Sequence, residues 1–190
     1  RPTFIKLNLQ NGAAVAEMFQ QHRTTGIIHF AAYKAVGESV QKPVAYYQNN
    51  LGSMLNLLAE VEKAASPIPF IFSSSCTVYG EATKLPITEN SPVQPAMSPY
   101  GNTKQIGEEI LVDTVNAIEG FRVISLRYFN PIGAHSSIAI GELPLGKPQN
   151  LVPFITQTAA GLYPKLTVFG NDYPTSDGTN VRDYIHVVDL

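Results

Sequence analysis

The chain has 190 residues, of which 44% are hydrophobic and 15% are charged, a composition that favours a globular fold over a disordered chain. Its formal net charge of -2 gives no sign of a nucleic-acid or acidic membrane partner. One cysteine excludes an internal disulfide and favours a reducing cytoplasm, and no apolar run approaches the roughly 20 residues of a membrane span.

The first part of the chain alternates strand and helix patterns. Residues 3–9 alternate apolar and polar side chains, which predicts a short strand, and residues 13–23 follow as an amphipathic helix. Residues 26–32 form a continuous apolar run, typical of a parallel strand buried on both faces. Proline then begins the longest predicted helix, residues 43–65, whose inner face consists of Tyr47, Leu51, Met54, Leu58 and Val61.

A second buried strand is predicted at residues 68–74, and hydroxyl side chains cluster at its end, namely Ser73, Ser74, Ser75 and Thr77. Ligands in open α/β sheets bind at the carboxyl ends of the strands. These hydroxyls therefore either bind a ligand or form a serine turn that satisfies its own backbone. Lys34 and Asn49 also allow two interpretations: each side chain either contacts a cofactor or is exposed to solvent. The proline-rich residues 81–97 predict a structured loop.

A further helix carries the residues most suited to acid–base chemistry. Ser98 followed by Pro99 is typical of a capped helix start, and the helix is predicted to extend to residue 116. Tyr100 and Lys104 are four residues apart and share one helix face. A nearby ammonium favours the phenolate and lowers the tyrosine pKa from about 10, as a general acid/base near neutral pH requires. The plainer alternative is a cation resting on an aromatic ring.

Two glycines in that helix, Gly101 and Gly107, each cost about 1 kcal/mol relative to alanine, which predicts a packing or binding reason for them. They permit either a cofactor to approach the backbone or tight packing of the helix on a strand. After this helix we predict a strand at residues 121–129, a turn at 130–135, an irregular stretch at 136–150, a helix at 151–162, a strand at 166–169 and a polar loop at 170–179.

The alternation of strands and helices predicts βαβ units and a parallel sheet. A dinucleotide-binding sheet normally opens with a strand, a glycine-rich turn and a helix, and no such turn occurs in this sequence. From the residues alone, either the fold binds no dinucleotide or the opening unit lies upstream of Arg1.

The sequence resembles the extended short-chain dehydrogenase/reductases, and within them the branch that epimerises UDP-sugars. The matching stretches are residues 29–31, 34–39, 72–75 with 77–80, 99–101 with Lys104, 126–131 with 133–135, 168–173 and 181–189. The resemblance implies a Rossmann-type parallel sheet flanked by helices, truncated at its N-terminal βαβ unit, with part of a small C-terminal substrate domain. Residues 1–133 would form the NAD-binding domain and residues 134–190 a partial UDP-sugar-binding region.

What the resemblance implies for activity is epimerisation at C4, which interconverts UDP-galactose and UDP-glucose through a 4-keto intermediate with tightly bound NAD. The implied catalytic residues are Tyr100 as the base, Lys104 on the nicotinamide ribose, Ser75 on the sugar oxygen and Thr77 as a helper. The implied cofactor contacts are Phe30, Ala31, Ala32, Lys34, Asn49, Ser73, Tyr100, Lys104 and Tyr128. The implied substrate contacts are Ser75, Tyr100, Asn130, Asn150, Leu151, Phe169 and Arg182. No metal is implied.

Two departures from the family pattern matter. Asn8-Leu9 stand where the family usually has Asp-Ile against the adenine, so we expect these residues to contact the cofactor with altered adenine binding. The chain also opens at Arg1 without a methionine, a signal peptide or the glycine-rich unit. We therefore expect an internal fragment that binds NAD weakly or not at all when alone.

The remaining expectations concern partners and rivals. The resemblance implies a cytoplasmic homodimer that pairs through the helices beginning near Pro43 and Pro99, and neither nucleic acid nor membrane is an expected partner. The nearest rival function is a nucleotide-sugar 4,6-dehydratase, which commonly carries an Asp-Glu pair near Thr77 that is not found here. A second alternative is a non-catalytic relative that binds a nucleotide. Such proteins typically lack the tyrosine or the lysine of this pair, whereas both Tyr100 and Lys104 are present here.

Overall fold

The computed structural model describes residues 2–144 and 146–190. Its regular elements are, in chain order, α1 (Gly12–Gln21), β1 (Ile27–His29), α2 (Val36–Gln41), α3 (Pro43–Lys63), β2 (Phe70–Ser73), a 3₁₀ helix (Cys76–Tyr79), α4 (Pro99–Ala117), β3 (Val123–Leu126), β4 (Asn130–Ile132), α5 (Leu151–Ala159) and β5 (Tyr184–His186). The chain forms two compact units, the first ending at Arg127 and the second beginning at Tyr128.

The first unit contains a parallel sheet of three strands in the order β1-β2-β3. The register places Ile28, Ile71 and Ile124 in one row across the sheet. Each parallel neighbour is reached through helical connections, as βαβ units require. The predicted α/β class with a parallel sheet is therefore confirmed.

The core lies where helices α1, α3 and α4 pack against the sheet face that carries Phe70 and Phe72. Burying a side chain of this size stabilises the fold by about 1.5–3 kcal/mol. Around these two rings the buried cluster consists of Val15, Met54, Leu57, Leu58, Val61, Ile68, Leu111 and Phe121. The carboxyl ends of β1 and β2 leave this core at the same edge, because His29 pairs with Phe72 in the parallel register.

Helix α3 begins at Pro43 as predicted, but its buried face is rotated slightly from the prediction. Met54, Leu58 and Val61 are buried as expected, whereas Tyr46 is buried in preference to Tyr47. The Tyr46 hydroxyl accepts from the backbone N–H of Ala35 at 3.1 Å and donates to Glu38 at 3.0 Å. These polar partners come from the loop before α2 and from α2, a helix that the sequence pattern did not predict.

Two strand predictions in the first unit were wrong in whole or in part. Residues 3–9 form no strand, because no strand in the described part of the chain pairs with them, although Leu7 and Leu9 still pack against the core. The strand predicted at residues 26–32 is three residues long and is not buried on both faces, since Ile28 is 60% exposed.

In the second unit, β4 and β5 pair in parallel. Residues 130–132 therefore belong to a strand, and the turn predicted there was wrong. Residues 166–169 form no strand, because no strand among residues 2–144 and 146–190 pairs with them and their apolar side chains stay exposed, 70% for Val168 and 85% for Phe169. Within the described residues, no helix combines the length and apolar character needed to cross a membrane.

Candidate active site

The start of α4 positions the predicted acid–base pair. The Ser98 hydroxyl accepts a hydrogen bond from the backbone N–H of Gly101 at 3.1 Å, and Pro99 occupies the first helical position. Both features satisfy the helix terminus locally. Tyr100 and Lys104 consequently share one face, with the Lys104 ammonium 5.7 Å from the centroid of the Tyr100 ring. The predicted juxtaposition of these two side chains is confirmed.

Lys104 is the most deeply buried charged group of this region, with only 4% of the residue exposed. Its ammonium donates to the carbonyl oxygen of Ser73 at 2.6 Å and lies 5.0 Å from the centroid of the Phe72 ring. Burial lowers the pKa of Lys104 to about 8, because the charged form loses its hydration. This lysine is therefore held beside the tyrosine rather than extended into solvent.

The two glycines of α4 have different surroundings. A Cβ on Gly107 would stand 2.8 Å from Cζ of Phe72, so this position serves tight packing of the helix on β2. A Cβ on Gly101 would meet Thr77 and the Ser98 hydroxyl at an ordinary 3.5 Å. For Gly107, packing on the strand is therefore the explanation that the structure supports.

The hydroxyls after β2 do not form one cluster of equivalent groups. The Ser75 hydroxyl caps the 3₁₀ helix by accepting from the backbone N–H of Thr77 at 3.3 Å. Thr77 Oγ1 is buried and has no hydrogen-bond partner within the described part of the chain. Ser74 is 1% exposed, and its hydroxyl donates to the Glu108 carboxylate. The predicted serine turn is therefore found at Ser75, whose hydroxyl binds nearby backbone. The Thr77 hydroxyl, by contrast, is buried without a hydrogen-bond partner among the described residues.

Glu108 and Arg127 were not singled out from the sequence. The Arg127 Nε lies 2.9 Å from one Glu108 carboxylate oxygen and 3.1 Å from the other, and Nη1 donates to the Tyr79 hydroxyl at 3.2 Å. The Glu108 carboxylate raises the pKa of Arg127 above its ordinary value. One sequence signal was available, since Tyr100, Lys104 and Glu108 recur every four residues on the helix.

The loop after β1 carries four predicted cofactor contacts, Phe30, Ala31, Ala32 and Lys34, and it leaves the sheet at the same edge as Ser73. A buried asparagine, Asn50, fixes this loop: its side chain accepts from the backbone N–H of Tyr33 at 2.7 Å and donates to the Tyr33 carbonyl at 3.0 Å. The same amide donates to Thr103 Oγ1 at 3.1 Å, so it links the loop to α4.

The sequence analysis selected Asn49, which is only half-buried, and missed Asn50, its buried neighbour. Asn49 accepts from the Gln10 side chain at 2.8 Å and donates to Asn50 at 3.0 Å. Asn8, a predicted adenine contact, accepts from the backbone N–H of Gln10 at 3.0 Å, and the Leu9 carbonyl accepts from Asn56 at 2.8 Å. These contacts tie the segment after residue 7 to α3.

In the second unit, three predicted substrate contacts come together. Asn150, Leu151 and Phe169 line one cavity of about 440 Å³, which also includes Lys147. Asn130 and Arg182 do not line it. The Asn130 amide donates to the Asp183 carbonyl at 2.8 Å, and the exposed Arg182 donates to the Val181 carbonyl at 2.9 Å.

Tyr128 begins the second unit, two residues before the start of β4, and is half-buried. No group of three or more His, Cys, Asp or Glu side chains in the described ranges is placed to hold a metal ion.

The sequence profile of the NAD dependent epimerase/dehydratase family matches residues 1–190. The chain belongs to this family. The family resemblance inferred from the sequence motifs is thereby confirmed.

Among curated members of the epimerase/dehydratase family, a UDP-glucose 4-epimerase from Cyamopsis tetragonoloba is 54% identical over 99% of the chain and 53% of that relative. The UDP-glucose 4-epimerase of Drosophila melanogaster is 49% identical over 98% of the chain and 53% of its own length. The chain thus spans about half the length of the curated relatives that it matches.

A crystal structure of UDP-glucose 4-epimerase from Bifidobacterium longum, in complex with NAD+ and UDP, is 46% identical. It superposes with a TM-score of 0.95 over 100% of this chain and 56% of that chain. The enzyme from Stenotrophomonas maltophila, with bound NAD and formylated UDP-arabinopyranose, gives a TM-score of 0.91 at 45% identity over 99% of this chain and 55% of that chain. The predicted Rossmann-type fold is confirmed by these matches.

Proposed function

We propose that this chain contributes the catalytic residues of a UDP-glucose 4-epimerase, which interconverts UDP-galactose and UDP-glucose with NAD as a retained cofactor. The observation that carries the proposal is the buried Lys104 ammonium beside the Tyr100 ring at the carboxyl edge of a parallel sheet. Support also comes from relatives of this name that match almost the entire chain. We propose residues 1–133 as the NAD-binding part and residues 134–190 as part of the UDP-sugar-binding region.

The groups at this sheet edge fit a nicotinamide ribose. An ammonium has three N–H donors, and the Ser73 carbonyl takes one of them, which leaves donors for the hydroxyls of a sugar. The small side chains of Ala31 and Ala32 permit a ligand to approach the loop backbone. NAD would supply the acceptor and donor for the hydride at C4. The protein would bind and orient NAD. The residues proposed to contact NAD are Lys34, Phe30, Asn49, Ser73 and Tyr128.

Within this proposal each nearby side chain has one task. Tyr100 removes the proton from the sugar 4-hydroxyl and later returns it, and Lys104 favours the phenolate through its positive charge. Ser75 hydrogen-bonds the same sugar oxygen. Thr77 Oγ1, a buried hydroxyl without a partner in the described residues, gains one when the substrate is bound. Oxidation and reduction at C4 cancel, so no net redox change results.

We propose the cavity lined by Asn150, Leu151 and Phe169 as the place where the UDP moiety of the substrate binds. Its size and its mixture of an amide, an aliphatic and an aromatic side chain suit a nucleobase. Arg182 would bind the diphosphate, since a guanidinium presents several aligned donors to phosphate oxygens. Asn130 would contact the UDP-sugar as well.

We also propose a cytoplasmic homodimer that pairs through α3 and α4. The outer faces of these helices carry exposed apolar side chains, including Val44 at 66%, Leu55 at 48% and Val112 at 59%. Pairing with a second copy would remove this surface from water. Analytical ultracentrifugation of the complete natural protein tests the pairing. The double variant Leu55→Glu/Val112→Glu is expected to sediment as a monomer.

The function is tested with the complete natural protein that contains this chain, supplied with NAD and UDP-galactose. We expect UDP-glucose to form and Tyr100→Phe to lower the rate by at least about a hundredfold, in line with loss of a general base. A product lighter by one water would instead indicate the 4,6-dehydratase reaction. Absence of any conversion, or full activity of Tyr100→Phe, would contradict the proposal.

A further inference from the structure

A carboxylate on α4 contacts the segment that connects Lys104 with the proposed substrate hydroxyl. Glu108 lies one helical turn after Lys104, and it accepts a hydrogen bond from the hydroxyl of Ser74. Ser74 lies between Ser73, whose carbonyl accepts a hydrogen bond from the Lys104 ammonium, and Ser75, which caps the 3₁₀ helix. Helix α4 thus contacts two adjacent residues at the end of β2: Lys104 donates to the Ser73 carbonyl, and Glu108 accepts from the Ser74 hydroxyl.

The Glu108 carboxylate is itself fixed from the opposite side. Arg127, which directly follows β3, donates to both of its oxygens, at 2.9 and 3.1 Å from Nε. The Arg127 guanidinium lies 5.0 Å from the centroid of the Tyr79 ring and donates to the Tyr79 hydroxyl at 3.2 Å. Tyr79 is the last residue of the 3₁₀ helix, so the network also contacts the element that Ser75 caps.

We infer that Glu108 is a positioning residue, which holds Ser74 and thereby sets where the Ser73 carbonyl and the Ser75 hydroxyl lie relative to Lys104 and Tyr100. This inference rests on the proposed function for the roles of Ser75 and Tyr100. The network that carries it lies entirely within the first compact unit.

Chain connectivity makes the effect of Ser74 direct. Consecutive Cα atoms are 3.8 Å apart across a trans peptide, so a shift of Ser74 moves the carbonyl before it and the hydroxyl after it. A displacement of about 1 Å at reacting groups can cost about a hundredfold in rate. The Glu108 carboxylate contacts Ser74 and Arg127, and in this inference its influence on the reacting groups passes through Ser74.

The test uses the complete natural protein with the variants Ser74→Ala, Glu108→Gln and their combination. Ser74→Ala is the milder change, because it leaves the pair of Glu108 with Arg127 intact. We expect Ser74→Ala to lower kcat at least about tenfold while KM stays within about twofold, since substrate binding itself is retained. The double variant should be no slower than the slower single variant, because both act through one contact.

A second readout does not depend on activity. The 13Cε resonance of Lys104, assigned by its loss in Lys104→Arg, reports the pKa of this ammonium. Weakening the Ser73 carbonyl contact removes a partner of the charged form, so the Lys104 pKa should fall in Ser74→Ala and in Glu108→Gln. Of the titratable groups close to Lys104, Tyr100 and His29 are unchanged in both variants, whereas Glu108→Gln also removes a negative charge one helical turn away. Ser74→Ala keeps that charge, so the Lys104 pKa in Ser74→Ala is the deciding readout.

Glu109→Gln is the matched control, since Glu109 lies next in α4 but is exposed. Its kcat and its Lys104 titration should equal those of the unaltered protein. If Ser74→Ala and Glu108→Gln lower only the unfolding temperature and leave kcat and Lys104 unchanged, the network is merely structural and the inference is overturned. Additive losses in the double variant would overturn it as well.

The outcomes separate this inference from the proposed function. If the unaltered protein does not interconvert the two UDP-sugars, the proposed function fails. The Lys104 resonance still decides in that case whether Glu108 positions the end of β2. If the protein is active but the Lys104 pKa is the same in all variants, the inference fails and the proposed function stands.

Discussion

The Lys104 ammonium donates to the carbonyl oxygen of Ser73 at 2.6 Å, which fixes a helix side chain to the carboxyl end of a strand. The acceptor is a backbone carbonyl, so this contact depends on where the end of β2 lies relative to α4 and not on the side chain of residue 73. It directs the charge toward the Tyr100 ring, 5.7 Å away, rather than toward solvent. The acid–base pair of the proposed reaction therefore depends on helix–strand packing.

The first prediction concerns the pH dependence of the proposed epimerase activity. Burial lowers the pKa of Lys104 to about 8 from an ordinary 10.5, so the ammonium is lost as pH rises through about 8. Since the proposed role requires the charged form, kcat/KM should fall above that pH. In Lys104→Arg this fall should disappear, because arginine stays charged, although the overall rate should drop.

The measurement is kcat/KM for UDP-galactose as a function of pH in the complete protein. Lys6→Arg, an exposed lysine changed in the same way, should keep the original profile. An unchanged fall near pH 8 in Lys104→Arg would show that another group controls this limb of the profile.

The second prediction concerns the packing of α4 on β2. A Cβ at Gly107 would stand 2.8 Å from Cζ of Phe72, so Gly107→Ala must displace the ring that lies beneath Lys104. Overpacking of this kind typically costs about 1–3 kcal/mol, which outweighs the gain of about 1 kcal/mol from the better helix former. We expect a lower free energy of unfolding in urea and a reduced kcat.

Gly52→Ala is the control, since Gly52 lies within α3 and a Cβ there meets nothing within 4 Å. It should gain up to about 1 kcal/mol from helix propensity alone. Equal stabilisation by both substitutions would contradict the packing role of Gly107.

Local signals in the sequence were sufficient for α4 and its site. Ser98 and Pro99 determine the helix start through chemistry within four residues, so the shared face of Tyr100 and Lys104 followed from spacing alone. The end of β2 was predicted to within one residue for the same reason, because the apolar run and the serines that follow it are local features of the sequence. Such features depend little on distant parts of the chain.

Other features depend on partners that local patterns do not show. Residues 3–9 have the alternation of a strand, but a strand also needs a neighbour, and none in the described residues pairs with them. The burial of Asn50 over Asn49 depends on where the loop at Tyr33 returns to α3. Similarly, the contact between Glu108 and Arg127 joins residues whose proximity only the sheet order decides.

The third prediction concerns Asn50, which joins the loop after β1 to α4. Asn50→Ala removes the partner of both backbone polar groups of Tyr33 and one partner of the Thr103 hydroxyl, which still donates to the Tyr100 carbonyl at 2.7 Å. Leaving buried donors and acceptors unsatisfied costs about 1–3 kcal/mol. The Tyr33 backbone groups are only partly buried, so the free energy of unfolding should fall by an amount at or below the lower end of that range. The exposed Gln48 on the same helix provides the control, and Gln48→Ala should change stability by less than about 0.5 kcal/mol.

Hydrogen exchange gives a more local measurement of the same change. The Tyr33 amide should lose protection in Asn50→Ala but keep it in Gln48→Ala, because its acceptor is the Asn50 side chain at 2.7 Å. Retained protection of this amide would mean that the loop is held by other contacts.

The last prediction concerns acid stability and follows from His29, which is 4% exposed and stacks on Phe72 with ring centroids 6.2 Å apart. Burial, aided by the positive charge of Lys104, lowers the pKa of His29 to about 4 from an ordinary 6.5. Between these two values the unfolded chain binds a proton that the folded chain does not. The free energy of unfolding therefore carries no penalty from His29 above pH 6.5, and it falls as the pH is lowered from 6.5 toward 4.

The size of the effect is at most about 1.4 kcal/mol per pH unit for one group. Urea unfolding measured from about pH 7 to about pH 4 should show this loss, and His29→Gln should reduce the slope because glutamine binds no proton in this range. His22→Gln removes an exposed histidine and should leave the slope unchanged. If His29→Gln and His22→Gln have the same acid sensitivity as the unaltered protein, carboxylates control the loss and His29 does not. A reduced slope in His29→Gln alone would assign the acid sensitivity to the histidine beneath the Lys104 site.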